Sequence, residues 1–449
     1  MWLRPSHDSN SKHPKIYLAV LGADASRPII MWFWAIQLRA ASKRLRETNF
    51  ACYKFATFFT TGLPYGLFVG NVVPCSHVMK QLDCGLSINN ALIEEHAPIG
   101  LASAIVFSPE LFSSEETDDL DKLLESNNYT VTRLRGKKAT VEQLTNYGSH
   151  FPYDILHICA HGGEVDGYFV VQDFTDRNGK SHKFEFYEVV GFSPTPGDML
   201  RVNSKLIFKS FDGFAWGSAP LKKYPRYIFE DMMVEMKLDP EKKVLRVPFK
   251  SKIALSCHIQ CADSIHQGEF HGLAGFGHPF VFNNTCSSSH EIAAVIVRDG
   301  ARAYVGTLWS VGNETAKQAA KVFYESLVQQ GNLLTAFFAM NKAVTKPQYQ
   351  NVYIFWGLHL STLPKVSVKS DAKIFADLIG VYLSWVKKIQ TTPDAEVRRN
   401  SIPSARFLAN EIMRRFTPER LKEIESFDLT KLEEEERAAP QGSTTLVAA

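Results

Sequence analysis

The sequence predicts an α/β fold built on a mostly parallel sheet with helices on both faces. Short apolar segments of strand length alternate with amphipathic segments of helical spacing between residues 101 and 163. The same alternation returns between residues 252 and 361. The 449-residue chain is 45% hydrophobic and 22% charged, which is ordinary for a globular protein. Because strands that alternate with helices at this spacing form βαβ units, the pattern favours a parallel sheet.

The elements of the first half follow one another in regular order. An early strand at 15–23 ends in a glycine turn and precedes an amphipathic helix at 28–47. From residue 101 onward the predicted strands are 101–107, 129–135 and 153–163, and the predicted helices are 114–126 and 140–148. The first of these helices carries acidic residues in its first turns, where the helix dipole favours them.

The second half begins with a predicted hairpin and an insertion. The segments "GYFVVQDF" (167–174) and "HKFEFYEVV" (182–190) flank a polar turn. We interpret the stretch 191–250, rich in Phe, Lys, Pro and Gly, as an insertion and not as a series of sheet strands. The α/β pattern then resumes with strands at 252–257, 279–286, 301–309 and 352–361 and helices at 290–300, 313–330 and 333–345. Helices at 372–389 and 394–436 follow, and the tail 437–449 is expected to be disordered.

Charge and composition narrow the classes of partner. The 50 basic and 47 acidic side chains give a net charge of +3, which offers no support for binding to nucleic acid or to a membrane surface. The N-terminus lacks the apolar run of a signal peptide, and the apolar stretch 28–36 is too short to span a bilayer. The cysteines, seven in number and scattered, do not form a disulfide framework. We therefore expect a cytoplasmic protein with free thiols.

Two reactive side chains follow apolar strands of the predicted sheet. His161 ends "HICAH" and is followed by Gly162, and Cys286 ends "FVFNNTC". Because the carboxyl ends of parallel strands meet at one edge, these side chains can form the thiolate–imidazolium pair of a cysteine hydrolase. The backbone N–H groups of Gly162 and Cys286 could stabilise an acyl oxyanion. Each residue alone also fits a buried thiol or a core histidine, and we assign His157 to the core.

Four motifs in order resemble the CHAT domain, a caspase-like and separase-like peptidase module. "YDILHICAHGG" resembles its histidine motif, and "FVFNNTC" resembles its strand that ends in the nucleophile. "VRDGARAYVGTLWSVGNETAKQAAKVFYESL" (297–327) is similar to its Gly-Ala turn, strand and helix, and "YIFWGLHL" is similar to its closing strand. Together the motifs cover residues 100–361.

The resemblance implies a caspase-like sandwich at 101–361 in which His161 is the base and Cys286 the nucleophile. It implies a cysteine endopeptidase of protein substrates that needs no cofactor. A regulatory protein partner would control it in bacterial defence or signalling. Residues 1–100 would add a part of the α/β unit with a regulatory surface. The helical extension 366–436 would dock on the domain or receive the partner.

The sequence departs from the family pattern at three points. The positions 161 and 286 lie 125 residues apart, more than is usual, so the region 191–275 is predicted to be a large insertion. Many relatives have glycine one or two residues after the nucleophile, whereas Ser287, Ser288 and Ser289 follow here. Relatives that cleave after basic residues often have Asp two positions before the cysteine, where this chain has Asn284. Asn284 is a candidate for substrate binding, but basic specificity does not carry over.

A second cluster supports alternative functions. Cys257, Cys261, His266 and His271 have the spacing C-x3-C-x4-H-x4-H, which is close to that of a small zinc site. Cys257 also ends a predicted strand and is the alternative nucleophile. The order strand, cysteine, helix, Gly-Ala turn, strand fits Cys286 without a gap. A catalytically silent binding scaffold and a zinc-dependent hydrolase remain the alternatives to a cysteine peptidase.

Overall fold

The computed structural model describes most of the chain between residues 101 and 417. The described residues are 17–20, 53–60, 64–69, 72–79, 92, 101–110, 114–195, 199–238, 245–249, 253–267, 270, 272–289, 291–363, 366 and 371–417. The predicted helix at 28–47, the last part of the predicted helix at 394–436 and the tail 437–449 lie outside them.

The central sheet has nine strands in the described part of the chain. They are β1 (Tyr17–Val20), β2 (Ala56–Thr60), β3 (Cys75–Met79), β4 (Ser103–Ser108), β5 (Thr130–Arg135), β6 (Ile155–Ile158), β15 (Phe280–Asn283), β16 (Ala303–Thr307) and β17 (Tyr353–Gly357). The strands β7 to β14 belong to two other sheets. Their order across the sheet is β1-β2-β3-β17-β16-β15-β6-β4-β5. Every neighbouring pair is parallel except β16 with β17. The predicted fold class, a mostly parallel sheet flanked by helices, is confirmed.

Helices cover both faces of this sheet. The face packed by α1 (Glu115–Ser126), α5 (Asn313–Gln330) and α6 (Leu333–Ala343) includes Val106 and Phe282, which share an apolar cluster with Phe323 of α5. The opposite face is packed by α2 (Val141–His150), α4 (Glu291–Arg298), α7 (Asp371–Thr391) and α8 (Ala395–Arg415) and includes Phe107 and Val281. Neighbouring residues of one strand thus face opposite layers, as the two-residue period of a strand requires.

The predicted hairpin and part of the predicted insertion together form a second sheet, called the inserted sheet below, with a core of its own. Its strands are β8 (Tyr168–Thr175), β9 (Ser181–Thr195), β10 (Met199–Phe211), β11 (Phe214–Ala215) and β12 (Leu245–Pro248), in the order β11-β10-β9-β8-β12, and α3 (Arg226–Leu238) packs on it. The hairpin of β8 and β9 agrees with the prediction. The stretch 191–250 was predicted to contain no series of sheet strands. That prediction was wrong, because the stretch contains β10, a long strand paired with β9. Its aromatic side chains were the missed signal, because Phe is enriched in strands.

A small third sheet lies next to the ends of the central strands. It consists of β7 (Gly162–Val165), β13 (Ile253–Gln260) and β14 (Ile265–His266), in the order β14-β13-β7. Because β7 begins at the residue after His161, this sheet fixes the direction in which the chain leaves β6.

The C-terminal helices α7 and α8 pack on the central sheet. Leu378, Tyr382, Leu408 and Ile412 are buried in the same apolar cluster as the strands and α2. No helix in the described ranges is both long and apolar enough to cross a bilayer.

Candidate active site

Strands β6 and β15 place the two candidate catalytic residues at one edge of the sheet. The strands are parallel neighbours, and Ile158 is registered with Asn283. The backbone N–H of Asn284 then donates to the carbonyl of Ile158 at 2.8 Å. His161 and Cys286 each lie three residues beyond this registered pair. The register therefore brings the two segments out of the sheet side by side.

The segments also touch one another beyond the strands. A Cβ atom built on Gly162 would lie 2.6 Å from Oγ1 and 2.7 Å from Cβ of Thr285. It would also lie 2.9 Å from the carbonyl oxygen of His258. Since real Cβ atoms do not approach other atoms this closely, only glycine fits between Thr285 and His258. The residue after the candidate base is thus packed on the residue before the candidate nucleophile.

His161 presents an exposed ring on a backbone that is hydrogen bonded. Its carbonyl accepts a hydrogen bond of 2.9 Å from the N–H of Gln260. Partial burial of the ring lowers the pKa of His161 below its ordinary value, because desolvation disfavours the charged imidazolium. A neutral imidazole at neutral pH is the form that can take a proton from a thiol.

Hydrogen bonds hold the loop that carries Cys286. Ser288 Oγ donates to the carbonyl of Asn283 at 3.0 Å and accepts from the N–H of Thr307 at 2.9 Å. Thr307 Oγ1 donates to the carbonyl of Thr285 at 2.7 Å. These bonds tie the loop to the end of β16, so Cys286 is held by its neighbours on both sides.

Ser287 adopts a backbone conformation that usually requires glycine. Its φ is +55°, in the left-handed region that L-residues rarely occupy. A serine therefore occupies a conformation that favours glycine directly after Cys286.

The loop between β16 and α5 forms another wall beside Cys286. The half-buried thiol of Cys286 lies 3.9 Å from the carbonyl oxygen of Val311. Trp309 in this loop is 41% exposed, and its indole N–H donates to the carbonyl of Gln348 at 3.2 Å. Sequence analysis assigned no role to Trp309, which lies two residues beyond the last residue of β16.

Asn284, the candidate substrate contact, points into the protein. Its side-chain N–H groups donate to Glu116 Oε1 at 2.8 Å and to the carbonyl of Ala316 at 3.0 Å. Its side-chain oxygen accepts from the hydroxyl of Tyr353 at 2.7 Å. With both N–H directions used and 5% of its surface exposed, Asn284 supports the loop from inside.

Sequence reasoning missed Glu116, which joins this buried network. Its carboxylate oxygen Oε1 is 2.9 Å from Nε2 of His157, and His157 is fully buried as predicted for a core residue. Glu116 was one of several acidic residues at the start of a helix, where acidic residues are common. Nothing in the local pattern separates it from its exposed neighbours.

The alternative zinc cluster is only partly described. Cys261 and His266 are buried, and burial raises the pKa of Cys261 and lowers the pKa of His266 to about 4. The side chain of Cys257 and the whole of His271 lie outside the described residues. Within the portion that is described, no three His, Cys, Asp or Glu side chains are grouped as metal ligands would be.

The solved structures that resemble the chain include two of a cysteine proteinase. The crystal structure of the Arg-specific cysteine proteinase gingipain R is 10% identical, with 73% of this chain and 69% of that chain covered and a TM-score of 0.42. The complex of the pro- and mature domains of the same proteinase from Porphyromonas gingivalis is also 10% identical, with coverages of 73% and 70% and a TM-score of 0.40. No family model and no curated protein matches the sequence.

Proposed function

We propose that this chain is a caspase-like cysteine endopeptidase of the CHAT type, in which Cys286 is the nucleophile and His161 the general base. The observation that carries the proposal is the packing of Gly162 on Thr285 between the ends of two neighbouring parallel strands. This contact joins the residue after the histidine to the residue before the cysteine. The motifs "HICAHGG" and "FVFNNTC" support the same pair independently.

The proposed reaction proceeds through an acyl-enzyme. His161 takes the thiol proton as the sulfur of Cys286 attacks the peptide carbonyl carbon, and the carbonyl oxygen becomes an oxyanion. The N–H groups of Gly162 and Cys286 are the proposed donors to that oxyanion. The C–N bond breaks as His161 gives the proton to the leaving amine. Water then attacks the thioester with His161 as base, which releases the acid and restores the thiol.

The substrate would lie along the loop between β16 and α5. Trp309 is the large exposed apolar side chain of this loop, and Val311 contacts the thiol. The indole of Trp309 donates a hydrogen bond to the carbonyl of Gln348, which holds the side chain in place. We propose that Trp309 packs against a substrate side chain next to the scissile bond.

The labelling of Cys286 by peptidyl acyloxymethyl ketones tests the proposed dyad. These compounds report an activated thiol, because the sulfur displaces their carboxylate and remains attached as a thioether. The wild type and the variants Cys286→Ala and His161→Ala are compared, with Cys257→Ala and His278→Ala as matched controls. We expect labelling by the wild type and both controls, and none by the two dyad variants.

The other outcomes identify the alternatives. Labelling that is lost only with Cys257→Ala would identify the other cysteine as the nucleophile. The wild type is tested alone and with lysate from bacterial cells. If it is labelled in neither case, the proposed function becomes that of a catalytically silent scaffold. Labelling that needs the lysate would support the protein partner implied by the resemblance.

A further inference from the structure

A buried carboxylate contacts the segment that carries the candidate nucleophile. Glu116, in the first turn of α1, is 9% exposed. Its Oε1 atom accepts hydrogen bonds from Nε2 of His157 at 2.9 Å and from the amide of Asn284 at 2.8 Å. The thiol of Cys159 also lies at this carboxylate, and burial together with Glu116 raises the pKa of Cys159.

The hydrogen bonds around Glu116 are all satisfied when its side chain is an ionised carboxylate. An ionised carboxylate only accepts, so in this arrangement Nε2 of His157 donates to Glu116. Nδ1 of His157 then accepts from the hydroxyl of Tyr324, 3.2 Å away. On the other side, Asn284 donates to Glu116 and accepts from Tyr353. Each buried polar group of this set therefore has a directional partner.

The contacts of Glu116 lie close to the dyad along both strands. His157 is on β6, four residues before His161, and Asn284 is two residues before Cys286. One carboxylate on α1 therefore joins the two segments that present the dyad. The amide of Asn284 also donates to the carbonyl of Ala316, so its side chain bridges α1 and α5.

Stability alone does not account for a carboxylate in this position. Removing a carboxylate from water is costly, and well-packed apolar residues often replace buried charged groups without loss of stability. Buried polar networks that are fully satisfied fix one geometry instead. A fixed geometry is what a nucleophile and base need, because a displacement of about 1 Å can reduce a rate about 100-fold.

We propose that Glu116 is a positioning residue that holds the Cys286 loop at the distance from His161 needed for thiol activation. This role rests on the proposed function. Without the carboxylate, the N–H groups of His157 and Asn284 lose their shared acceptor. Asn284 then turns, and the backbone of Thr285 and Cys286 shifts with it.

Labelling kinetics of Glu116 variants test this role, with kinact and KI measured separately for an acyloxymethyl ketone. We expect Glu116→Ala to lower kinact about 100-fold and to change KI less than about twofold. Glu116→Gln keeps the size and an acceptor oxygen, so we expect it to restore part of kinact. The matched control is Glu115→Gln, because Glu115 is the neighbouring exposed residue and pairs with Lys317 on the surface. This control should keep the wild-type kinact.

Rates are compared only for variants that are folded, as measured by thermal unfolding and near-ultraviolet circular dichroism. If Glu116→Ala does not fold, Glu116→Gln and Tyr353→Phe decide, since Tyr353→Phe removes only the hydroxyl that holds Asn284. Wild-type kinact in the folded Glu116 variants would overturn the positioning role while leaving the dyad intact. Faster labelling would also overturn it, because the carboxylate would then act by repelling the thiolate. No labelling of the wild type would instead overturn the proposed function, and the positioning role with it.

Discussion

At the scale of single residues, two backbone positions shape the candidate site beside the proposed dyad of His161 and Cys286. Gly162 lets the chain after His161 pass against Thr285, since any Cβ atom would collide there. Ser287 holds a left-handed conformation that turns the chain sharply after Cys286. Both positions act through the backbone, so their effect on the dyad comes from the path of the chain.

We expect Gly162→Ala to abolish or strongly reduce labelling of Cys286. The added Cβ would lie 2.6 Å from Thr285 Oγ1 and 2.9 Å from the carbonyl of His258, and a carbonyl cannot rotate away as a side chain can. The two segments must therefore separate, which moves His161 from Cys286, and we expect a loss of at least about 100-fold in labelling rate. The measurement is the rate of labelling at equal folded concentration.

Gly380→Ala is the matched control for this substitution. A Cβ atom on Gly380, within helix α7, meets nothing within 4 Å. Alanine favours a helix over glycine, so this variant should be labelled like the wild type and be slightly more stable. Equal labelling of Gly162→Ala and Gly380→Ala would show that the approach of Gly162 to Thr285 is not needed by the dyad.

At the scale of elements, a histidine that is hydrogen bonded to two aspartates links strands of the inserted sheet. Nδ1 of His182 is 2.8 Å from Asp212, and its Nε2 is 3.4 Å from Asp176. Burial acts to raise the pKa of Asp212, but hydrogen bonds from His182, the N–H of Lys183 and Tyr224 outweigh it and lower that pKa. The cluster joins β8, β9 and the turn after β10, so it stabilises the hairpins of the insertion.

We expect Asp212→Asn to loosen the inserted sheet and to leave the labelling of Cys286 unchanged. The change removes the charged acceptor of His182, and a hydrogen bond to a charged group contributes about 1.5–3 kcal/mol. Hydrogen exchange of β9 and β10 should become faster by the corresponding factor, while labelling of Cys286 stays near the wild-type rate. The insertion has its own apolar cluster around Phe184 and Phe211, which is why we expect the two effects to separate.

Asp173→Asn is the control for this substitution, because Asp173 lies on β8 of the same sheet and is exposed. It should leave hydrogen exchange unchanged. If Asp212→Asn also abolished labelling, the insertion would have to be coupled to the dyad.

The sequence predicted the elements better than their contacts. Two apolar runs in the sequence predicted strands β6 and β15. Each run leads to a residue with a reactive side chain, His161 or Cys286. The long strand β10 was missed because Gly and Pro near it obscured its aromatic pattern. Glu116 meets Asn284 across 168 residues of chain, and no local spacing encodes a contact of that range. What the sequence could not predict is therefore the support behind the dyad.

At the scale of the whole molecule, two buried histidines make stability depend on pH. Nε2 of His77 accepts from the N–H of Gly66 at 3.0 Å, and its Nδ1 donates to the carbonyl of Phe355 at 3.1 Å. Its ring is therefore neutral, and burial lowers the pKa of His77 to about 4. Burial also lowers the pKa of His266, stacked on Phe270, to about 4. The first lies in the central sheet and the second in the small sheet beside the dyad.

We expect the free energy of unfolding to fall as the pH is lowered from 7 to 5, by about 2 kcal/mol for each of these histidines. In the unfolded chain they titrate near 6.5, so the unfolded state binds protons in this range that the native state does not. Carboxyl groups with lowered pKa values, such as that of Asp231, act mainly below this range. Urea unfolding of the wild type, His77→Gln and His266→Leu at both pH values measures the effect. Each variant should lose about 2 kcal/mol of the pH dependence even where it is less stable overall.

The control is Phe270→Leu, which removes a stacking partner of His266 but no titrating group. This variant should keep the full pH dependence. An equal dependence in all four proteins would contradict the role of the histidines.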